Sequence, residues 1–248
     1  MNANYLCIEI ADMGLMKVLA INGSPHKDEG NTAMILGPFL EGMKEEGCDV
    51  EVLFVKDLDI KPCNADMSCW FANPGMCYQL DDMQMVLPKI KEADVIVWAS
   101  PVYYSGMTGP LKILMDRQLP LSIVRNRAKK QKVVLVSTCS AWELSVFDPL
   151  IVQMKALYGN PEEGYEFAGA LLRPMADSMR EMIKAGETAM VDRVFQAAKK
   201  AGSQLAKEGR ISEDLSQQVS RELMPRDAYY KAMELALDQI KKAAGKSP

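Results

Sequence analysis

Short apolar runs rich in β-branched residues alternate along the chain with longer amphipathic segments. The runs predict five strands, at 17–22, 49–55, 94–100, 132–138 and 166–172. In the segments between them, apolar residues recur at intervals of three and four, which is the period of an amphipathic helix. Helices are therefore expected at 31–47, 81–93, 109–117 and 149–159. Strands that alternate with crossover helices predict a parallel sheet with helices on both of its faces.

Five such strands favour the flavodoxin-like member of the doubly wound α/β class, in which a ligand binds beyond the carboxyl ends of the strands. Strand signals stop near residue 175, and two further helices are predicted at 188–209 and 227–245. We expect three parts of the chain: an N-terminal extension (1–15), the flavodoxin-like domain (16–175) and a helical C-terminal extension (176–248). The C-terminal extension is expected to pack on the domain or on a neighbouring subunit.

Composition narrows the class of protein. The chain has 248 residues, of which 48% are hydrophobic and 25% are charged, as in an ordinary globular protein. A net charge of −4 argues against a nucleic-acid partner, because such proteins usually carry a basic surface. The longest apolar runs are too short to cross a membrane, and the N-terminus lacks the features of a signal peptide. Six cysteines are too few for a secreted disulfide scaffold, so a cytoplasmic protein is expected.

Polar and aromatic residues follow three of the predicted strands, whose carboxyl ends share one edge of the sheet. The loop "NGSPHKDEGNT" (22–32) lacks the dinucleotide fingerprint and the P-loop lysine, but its glycines, hydroxyls and helix start can bind a phosphate. A polar loop with a simple helix cap is an equally good interpretation. The loop "SPVYYSGMTGP" (100–110) offers a flat heterocycle tyrosine faces and a stiff turn, with the Val102 to Gly106 backbone hydrogen-bonding its edge, or else is an ordinary capped turn. The loop "STCSAW" (137–142) would complete one crevice with them.

Three segments together carry a resemblance to a known family: "INGSPHKDEGNT", "ADVIVWASPVYYSGMTGPLKILMDR" and the cysteine segment that ends in "DDM". They resemble the NADPH-dependent FMN reductases of the flavodoxin-like proteins, and among these the iron–sulfur flavoprotein branch. The resemblance covers about residues 16–175 and continues more weakly through 209–230. It implies that FMN is the cofactor and that the protein forms a homodimer or homotetramer.

The resemblance also assigns the residues that would bind FMN. The phosphate would lie against the first loop, and the isoalloxazine ring between the other two. His26 stands where relatives often carry arginine, so its part in phosphate binding is less certain than that of its neighbours. The residues expected to bind FMN are Ser24, His26, Asn31, Thr32, Pro101, Val102, Tyr103, Tyr104, Ser105, Gly106, Thr138, Ser140, Ala141 and Trp142.

The single histidine limits the chemistry. A Ser–His–Asp or Cys–His pair would have to use His26, which lies in the predicted phosphate loop. Hydride transfer from a nicotinamide to a flavin needs stacking of the two rings rather than a protein base. The sequence therefore favours an FMN-dependent NAD(P)H oxidoreductase that reduces a quinone, a flavin or another small acceptor, with no catalytic side chain. A module that binds FMN without turnover is a further alternative.

Three cysteines and an aspartate are spaced almost as iron–sulfur ligands: Cys63, Asp66, Cys69 and Cys77. In the iron–sulfur branch four cysteines ligate a [4Fe–4S] cluster, and Asp66 stands at the second position. Asp66 could complete a four-iron cluster, the three thiolates could hold a three-iron cluster, or the loop could be a metal-free lid or subunit contact. A zinc site is conceivable, although the spacing is not that of a zinc ribbon. The cluster interpretation implies an alternative function, an electron carrier that receives electrons from ferredoxin and passes them to FMN.

Overall fold

The five apolar runs form one parallel sheet. The computed structural model describes residues 14–124, 126 and 128–245, so most of the predicted N-terminal extension (1–15) lies outside the described residues. The strands are β1 (Lys17–Asn22), β2 (Asp49–Phe54), β3 (Val95–Pro101), β4 (Gln131–Thr138) and β5 (Tyr165–Arg173). They lie in the order β2-β1-β3-β4-β5, and every neighbouring pair is parallel. This is the flavodoxin-like order, so the predicted fold class is confirmed.

Ten α-helices are found in the described part of the chain. They are α1 (Asn31–Glu45), α2 (Ser68–Phe71), α3 (Met83–Glu92), α4 (Gly109–Asp116), α5 (Leu121–Val124), α6 (Asp148–Tyr158), α7 (Ala176–Lys184), α8 (Ala189–Glu208), α9 (Glu213–Ser220) and α10 (Arg226–Ala244). The sequence pattern predicts six of them, and α2, α5, α7 and α9 are additional. No helix within the described residues is long and apolar enough to cross a membrane.

The two faces of the sheet bury two separate apolar clusters. Alternate residues of a strand point to opposite faces. On β3, Val95 and Val97 therefore belong to the cluster under α1 and α8, while Ile96 and Trp98 belong to the cluster under α3, α4 and α6. Because β3 lies at the centre of the sheet and is covered on both sides, its run of apolar residues is continuous rather than alternating.

Helices α1 and α8 cross with their backbones in contact. A Cβ atom on Gly42 would lie 2.0 Å from the carbonyl oxygen of Lys199, and one on Gly202 would lie 1.9 Å from the carbonyl oxygen of Phe39. The side chain of Lys199 also pairs with carboxylates of α1, among them Glu45 at 2.8 Å. The helical extension is thereby packed on the first helix of its own chain.

A buried arginine ties the extension to the edge strand. Arg173 ends β5, is fully buried, and donates to the carbonyl oxygen of Val219 in α9 at 2.7 Å. Burial lowers the pKa of Arg173 to about 10. A register shift in β5 is accompanied by a φ of +137° at Gly169, and the carbonyl oxygen of Ala168 accepts a hydrogen bond from the N–H of Ile211 at 2.9 Å. The segment before α9 therefore follows the outer edge of the sheet.

Helix α10 is anchored at its start. Tyr229 is buried in the cluster beneath α1 and α8. Farther along the helix, Leu235, Leu237 and Ile240 are exposed. The last helix therefore leaves apolar side chains on the surface of the chain.

Candidate functional site

The loop after β1 is organised by a buried asparagine. The Asn22 side chain accepts a hydrogen bond from the N–H of Ser24 at 2.9 Å and donates to the carbonyl oxygen of Lys27 at 3.3 Å. Ser24 is buried, and its hydroxyl accepts from the N–H of His26 at 3.3 Å. The side chain of His26 is exposed. The polar residues of this loop are thus held in place before any ligand binds.

The N-terminus of α1 lies at the end of this loop with free donors. Gly30 is its N-cap and makes no side-chain capping bond, and the first turn holds no acidic residue. Among the described residues, the N–H groups of Asn31 and Thr32 donate to no acceptor. A Cβ atom on Gly30 would lie 2.6 Å from the Ser24 hydroxyl oxygen, so the turn is closed tightly around that hydroxyl. Free N–H groups and the helix dipole attract an anion, so these donors fit a phosphate group.

Hydrogen bonds join the three loops that the sequence predicts to meet. The hydroxyl oxygens of Thr32 and Thr138 lie 2.9 Å apart, which links α1 to the end of β4. The N–H of Val102 donates to the carbonyl oxygen of Thr138 at 2.8 Å, and the Thr108 hydroxyl donates to the carbonyl oxygen of Gly23 at 2.9 Å. The loops after β1, β3 and β4 therefore form one rim at the carboxyl edge of the sheet.

The loop after β3 is a tight turn that presents a tyrosine to solvent. Tyr103 and Gly106 exchange backbone hydrogen bonds of 2.9 and 3.0 Å, following Pro101 at the end of β3. Between them Tyr104 and Ser105 have φ angles of +48° and +59°, which residues other than glycine adopt at a cost of about 1 to 3 kcal/mol each. Strained residues of this kind cluster at ligand sites, and the Tyr104 side chain is fully exposed.

The hydrogen bonds within this turn reduce the number of backbone N–H groups in 102–106 that could contact a heterocycle. The N–H groups of Val102, Tyr103 and Gly106 are already engaged in the hydrogen bonds described above. Tyr104 and Ser105 occupy the tip between them. Of the predicted Val102–Gly106 stretch, the tip is therefore the part whose backbone faces outward for a heterocycle.

The loop after β4 is tied to the C-terminal extension. The Ser140 hydroxyl donates to the carboxylate of Asp177 in α7, and the carbonyl oxygen of Ala141 accepts from the β5–α7 link. The Trp142 indole N–H donates to the carbonyl oxygen of Met224 at 3.1 Å. Thr138 and Ser140 thus lie beside the other two loops, whereas the indole of Trp142 is engaged with the extension.

Two residues of α7 that the sequence pattern does not indicate reach the first loop. Asp177 accepts a hydrogen bond from the Asn31 side chain at 2.5 Å, and Arg180 donates to the Asn31 side-chain oxygen at 3.2 Å. Arg180 also donates to the carbonyl oxygen of Glu29. One signal could have found them, because the residues that follow a fifth parallel strand must emerge at the same edge as the other loops.

The four predicted metal ligands line one small cavity beside Arg117: Cys63, Asp66, Cys69 and Cys77. Burial raises the pKa of Cys69, and the neighbouring negative charges of Cys77, Asp66 and Cys63 raise it further. Arg117 donates to the Cys77 sulfur at 3.5 Å. The structure therefore brings all four side chains to one place, as the spacing predicts.

The backbone of this loop also has features of an anion-binding concavity. Ala65 and Met67 have φ angles of +55° and +58°, and the N–H of Ala65 donates to the Cys63 sulfur at 3.4 Å. Successive N–H groups in such conformations and hydrogen bonds to sulfur occur at many iron–sulfur sites. Asp66 accepts hydrogen bonds from Ser68, which lower its pKa.

The arrangement of the four side chains is not a ligand sphere. No group of three or more His, Cys, Asp or Glu residues in the described ranges is placed to hold a metal ion. The cavity between them measures about 10 Å³, which is about the space that one water molecule needs. The donor types suit iron, but the enclosed space does not fit a cluster.

Comparison with known sequences agrees with this geometry. The profile of the family described as NADPH-dependent FMN reductase matches residues 16–160, which is more than half of the chain. The chain belongs to this family. It is 42% identical over 108 residues to an iron-sulfur flavoprotein of Methanocaldococcus jannaschii, covering 44% of this chain and 54% of that protein. It is 43% identical over 102 residues to an iron-sulfur flavoprotein of Archaeoglobus fulgidus, covering 41% and 48%.

These relatives confirm the predicted resemblance to FMN reductases and iron–sulfur flavoproteins. The chain spans about half the length of the curated relatives it matches. Among solved structures, an NAD(P)H:quinone oxidoreductase from Methanothermobacter marburgensis superposes with a TM-score of 0.56 at 15% identity, covering 77% of this chain and 96% of that one. An azoreductase from Bacillus anthracis gives 0.54 at 14% identity, covering 77% and 100%. At identities this low, the superpositions show that this FMN reductase family member shares the fold of these proteins, and they show nothing about its activity.

Proposed function

We propose that this protein is an FMN-dependent NAD(P)H oxidoreductase whose acceptor is a quinone, a flavin or another small molecule. The observation that carries the proposal is the rim itself. Three hydrogen-bonded loops meet at the carboxyl edge of the sheet, beside a helix N-terminus whose donors fit a phosphate. Membership of the NADPH-dependent FMN reductase family supports the same cofactor and donor.

The residues of the rim have distinct roles in this proposal. Ser24, Asn31 and Thr32 bind the phosphate through their side chains and through the free N–H groups of α1. Tyr103 and Tyr104 would lie against the ring, presented by the hydrogen-bonded turn between β3 and α4. FMN, when bound, supplies the redox chemistry, accepting a hydride from a nicotinamide and returning the electron pair to the acceptor.

No protein acid or base is required at this rim. The chain's one histidine, His26, is exposed at the phosphate end of the proposed site. The side chains of the rim therefore bind and orient the cofactor and the substrate, and Tyr104 is exposed to solvent at the tip of the β3 turn.

The test is anaerobic reduction of the flavin-loaded protein by NADPH and by NADH, followed by absorption. We expect the flavin to bleach with at least one nicotinamide and to recover when a quinone is added. A Gly30→Ala variant should retain at least tenfold less FMN, because the new methyl group displaces the Ser24 hydroxyl. Gly37→Ala is the matched control, since nothing outside its own stretch of helix lies within 4 Å of its Cβ position. A protein that binds no FMN, or a bound flavin inert to both nicotinamides, would contradict the proposal.

A second candidate function is an electron carrier in which a cluster on the Cys63–Cys77 loop receives electrons from ferredoxin. Two observations favour it: the four candidate ligands line one cavity, and relatives are named iron-sulfur flavoproteins. Because the cavity is too small as it stands, the loop would have to open to accept a cluster. FMN reduction by reduced ferredoxin that outpaces reduction by NADPH would support this function.

Iron analysis separates the two candidates. Protein prepared anaerobically should hold about three or four irons and matching sulfide per chain if a cluster is present. Cys69→Ser should then abolish iron binding, whereas Cys48→Ser, a half-buried cysteine near β2, should leave it unchanged. Asp66→Cys should increase iron retention, because thiolate is the usual ligand. Iron-free protein under these conditions would exclude the carrier function.

The homodimer or homotetramer stays a prediction from the resemblance.

A further inference from the structure

Two residues of α7 with opposite charges form hydrogen bonds with the side chain of one residue of the phosphate loop. The side-chain amide of Asn31 donates to the carboxylate of Asp177 at 2.5 Å, and its oxygen accepts from the guanidinium of Arg180 at 3.2 Å. A carboxylate can only accept a hydrogen bond and a guanidinium can only donate one. The orientation of the Asn31 amide is therefore fixed by the two residues of α7.

The carboxylate of Asp177 bridges two loops of the rim. One of its oxygens accepts from Asn31, and the other accepts from the hydroxyl of Ser140 after β4. Both donors are among the residues expected to bind FMN. Asp177 is exposed at its position on the first turn of α7. A carboxylate thus holds the Asn31 donor of the phosphate loop and links it to Ser140 in the loop after β4.

Arg180 is a cation that reaches the same loop from α7. Its guanidinium is half-buried and donates to the carbonyl oxygen of Glu29, just before the N-cap of α1. Within the described ranges, no carboxylate forms an ion pair with it. Lys184, one turn later on α7, is instead paired with Glu181 at 2.7 Å. Arg180 therefore brings a guanidinium that is in no direct ion pair to the phosphate end of the rim.

We propose that α7 makes the flavin site selective for FMN over riboflavin. Arg180 pairs with the phosphate of FMN, and the Asp177 carboxylate holds Asn31 until the phosphate replaces it. The inference rests on the proposed FMN site and adds to it two residues from outside the three loops. His26, the loop residue at the position where relatives often carry arginine, is then not needed as the phosphate cation.

The charges explain why the effect is specific to the phosphate. A phosphate monoester carries about −1.5 to −2 charges at neutral pH, whereas riboflavin has the same ring and no phosphate. Arg180 attracts the phosphate, and Asp177 repels it as long as the carboxylate stays beside the site. Neither interaction changes the affinity for riboflavin. The ratio of the two dissociation constants therefore isolates the contribution of α7 from that of the ring pocket.

The experiment is a titration of the flavin-stripped full chain with FMN and with riboflavin, followed by quenching of flavin fluorescence. Arg180→Gln should weaken FMN binding about 10- to 100-fold, the range for loss of a hydrogen bond to a charged group. Its affinity for riboflavin should change less than twofold. Arg180→Lys should recover part of the loss. Asp177→Asn should strengthen FMN binding at least threefold and leave riboflavin binding unchanged.

Two variants of the same helix serve as controls. Lys184→Gln and Glu181→Gln make the same changes of charge one turn farther from the loop, and both should leave the FMN-to-riboflavin ratio at its wild-type value. If Arg180→Gln weakens both flavins equally, or neither, Arg180 has only a structural role and the inference is overturned. If the wild-type chain binds neither flavin, the proposed function fails as well. If the wild-type chain binds FMN and the α7 variants have the same FMN-to-riboflavin ratio as the wild type, only this inference is refuted and the proposed function stands.

Discussion

The guanidinium of Arg117 makes two hydrogen bonds, of 2.6 and 3.0 Å, to the carboxylate of Asp81, and both side chains are buried. Arg117 also donates to the carbonyl oxygen of Lys61, and Asp81 accepts from the N–H groups of Lys61 and Met83. Lys61 precedes Cys63, and Asp81 follows Cys77. The pair therefore fastens both ends of the stretch that carries these cysteines to the end of α4.

Removing one member of this pair should destabilise the protein strongly. Arg117→Met leaves the Asp81 carboxylate buried without its partner, which typically costs about 3 to 5 kcal/mol. Lys112→Met is the matched control, because Lys112 pairs with Asp116 on the exposed side of the same helix. That loss should cost less than about 1 kcal/mol. Denaturant unfolding of the two variants measures both values, and similar losses would contradict the structural role of the buried pair.

The same pair predicts a pH dependence of stability. Burial alone would raise the pKa of Asp81, but hydrogen bonds from Arg117, Lys61 and Met83 outweigh it and lower the pKa. A carboxyl whose pKa is lower in the folded than in the unfolded state stabilises the fold above its unfolded pKa, which is about 3.9. This stabilisation is lost as the pH falls through the folded pKa.

We therefore expect the difference in unfolding free energy between the wild type and Asp81→Asn to be constant from pH 7 to about pH 5 and to shrink below about pH 4. Urea unfolding at pH 7, 5 and 3 measures this difference. A difference that stays constant down to pH 3 would show that Asp81 is not stabilised as a carboxylate.

The contact between α1 and α8 predicts different effects for one substitution at two glycines. Gly202→Ala inserts a methyl group where the α1 backbone already lies, so the helices must separate, at a cost of about 1 to 3 kcal/mol or more. Gly37→Ala lies on the exposed side of α1, and because its gain in helix propensity is opposed by the contact of the new Cβ with Pro38, it should change the free energy of unfolding by less than about 1 kcal/mol. Thermal unfolding of both variants tests the pair. Equal shifts in Tm would mean that the two backbones do not touch.

The exposed tyrosine of the β3 turn should matter for ligand binding and hardly for stability. Tyr104→Ala removes a side chain that is fully exposed, so the free energy of unfolding should change by less than about 0.5 kcal/mol. Loss of an aromatic face beside the ring should weaken binding of FMN and riboflavin alike, by about fivefold or more. Tyr78→Ala, an exposed tyrosine of the cysteine segment, is the control and should leave both affinities unchanged. Unchanged flavin affinity in Tyr104→Ala would remove Tyr104 from the proposed site.

The strands could be predicted because their signals are local. The runs at β1, β3 and β4 are buried on both faces, so a continuous apolar stretch marks each of them with nearly correct ends. The short helices α2 and α5 were missed since a single turn has no measurable periodicity. Helix α9 was missed for a similar reason: it is two turns long and places few apolar residues on its buried side.

The residues of the candidate site also fall into a group that the sequence could assign and a group that it could not. Thr32 and Thr138 could be assigned to one place, because parallel strands bring their carboxyl ends to a common edge. For Asp177 and Arg180, topology indicates only the edge at which they emerge after β5, and the folded chain is needed to show that both contact Asn31 in the first loop. The indole N–H of Trp142, a residue expected at the ring, donates to the carbonyl oxygen of Met224 in the link between α9 and α10, a contact that no sequence pattern indicates.

The crossing of α1 and α8 also has a consequence for synthesis. Gly202 is translated about 160 positions after Gly42, which at about 5 to 20 residues per second takes roughly 10 to 30 s. During that interval the apolar side of α1 that α8 covers has no partner from its own chain. Native packing of this face of α1 must therefore wait until α8 has left the ribosome.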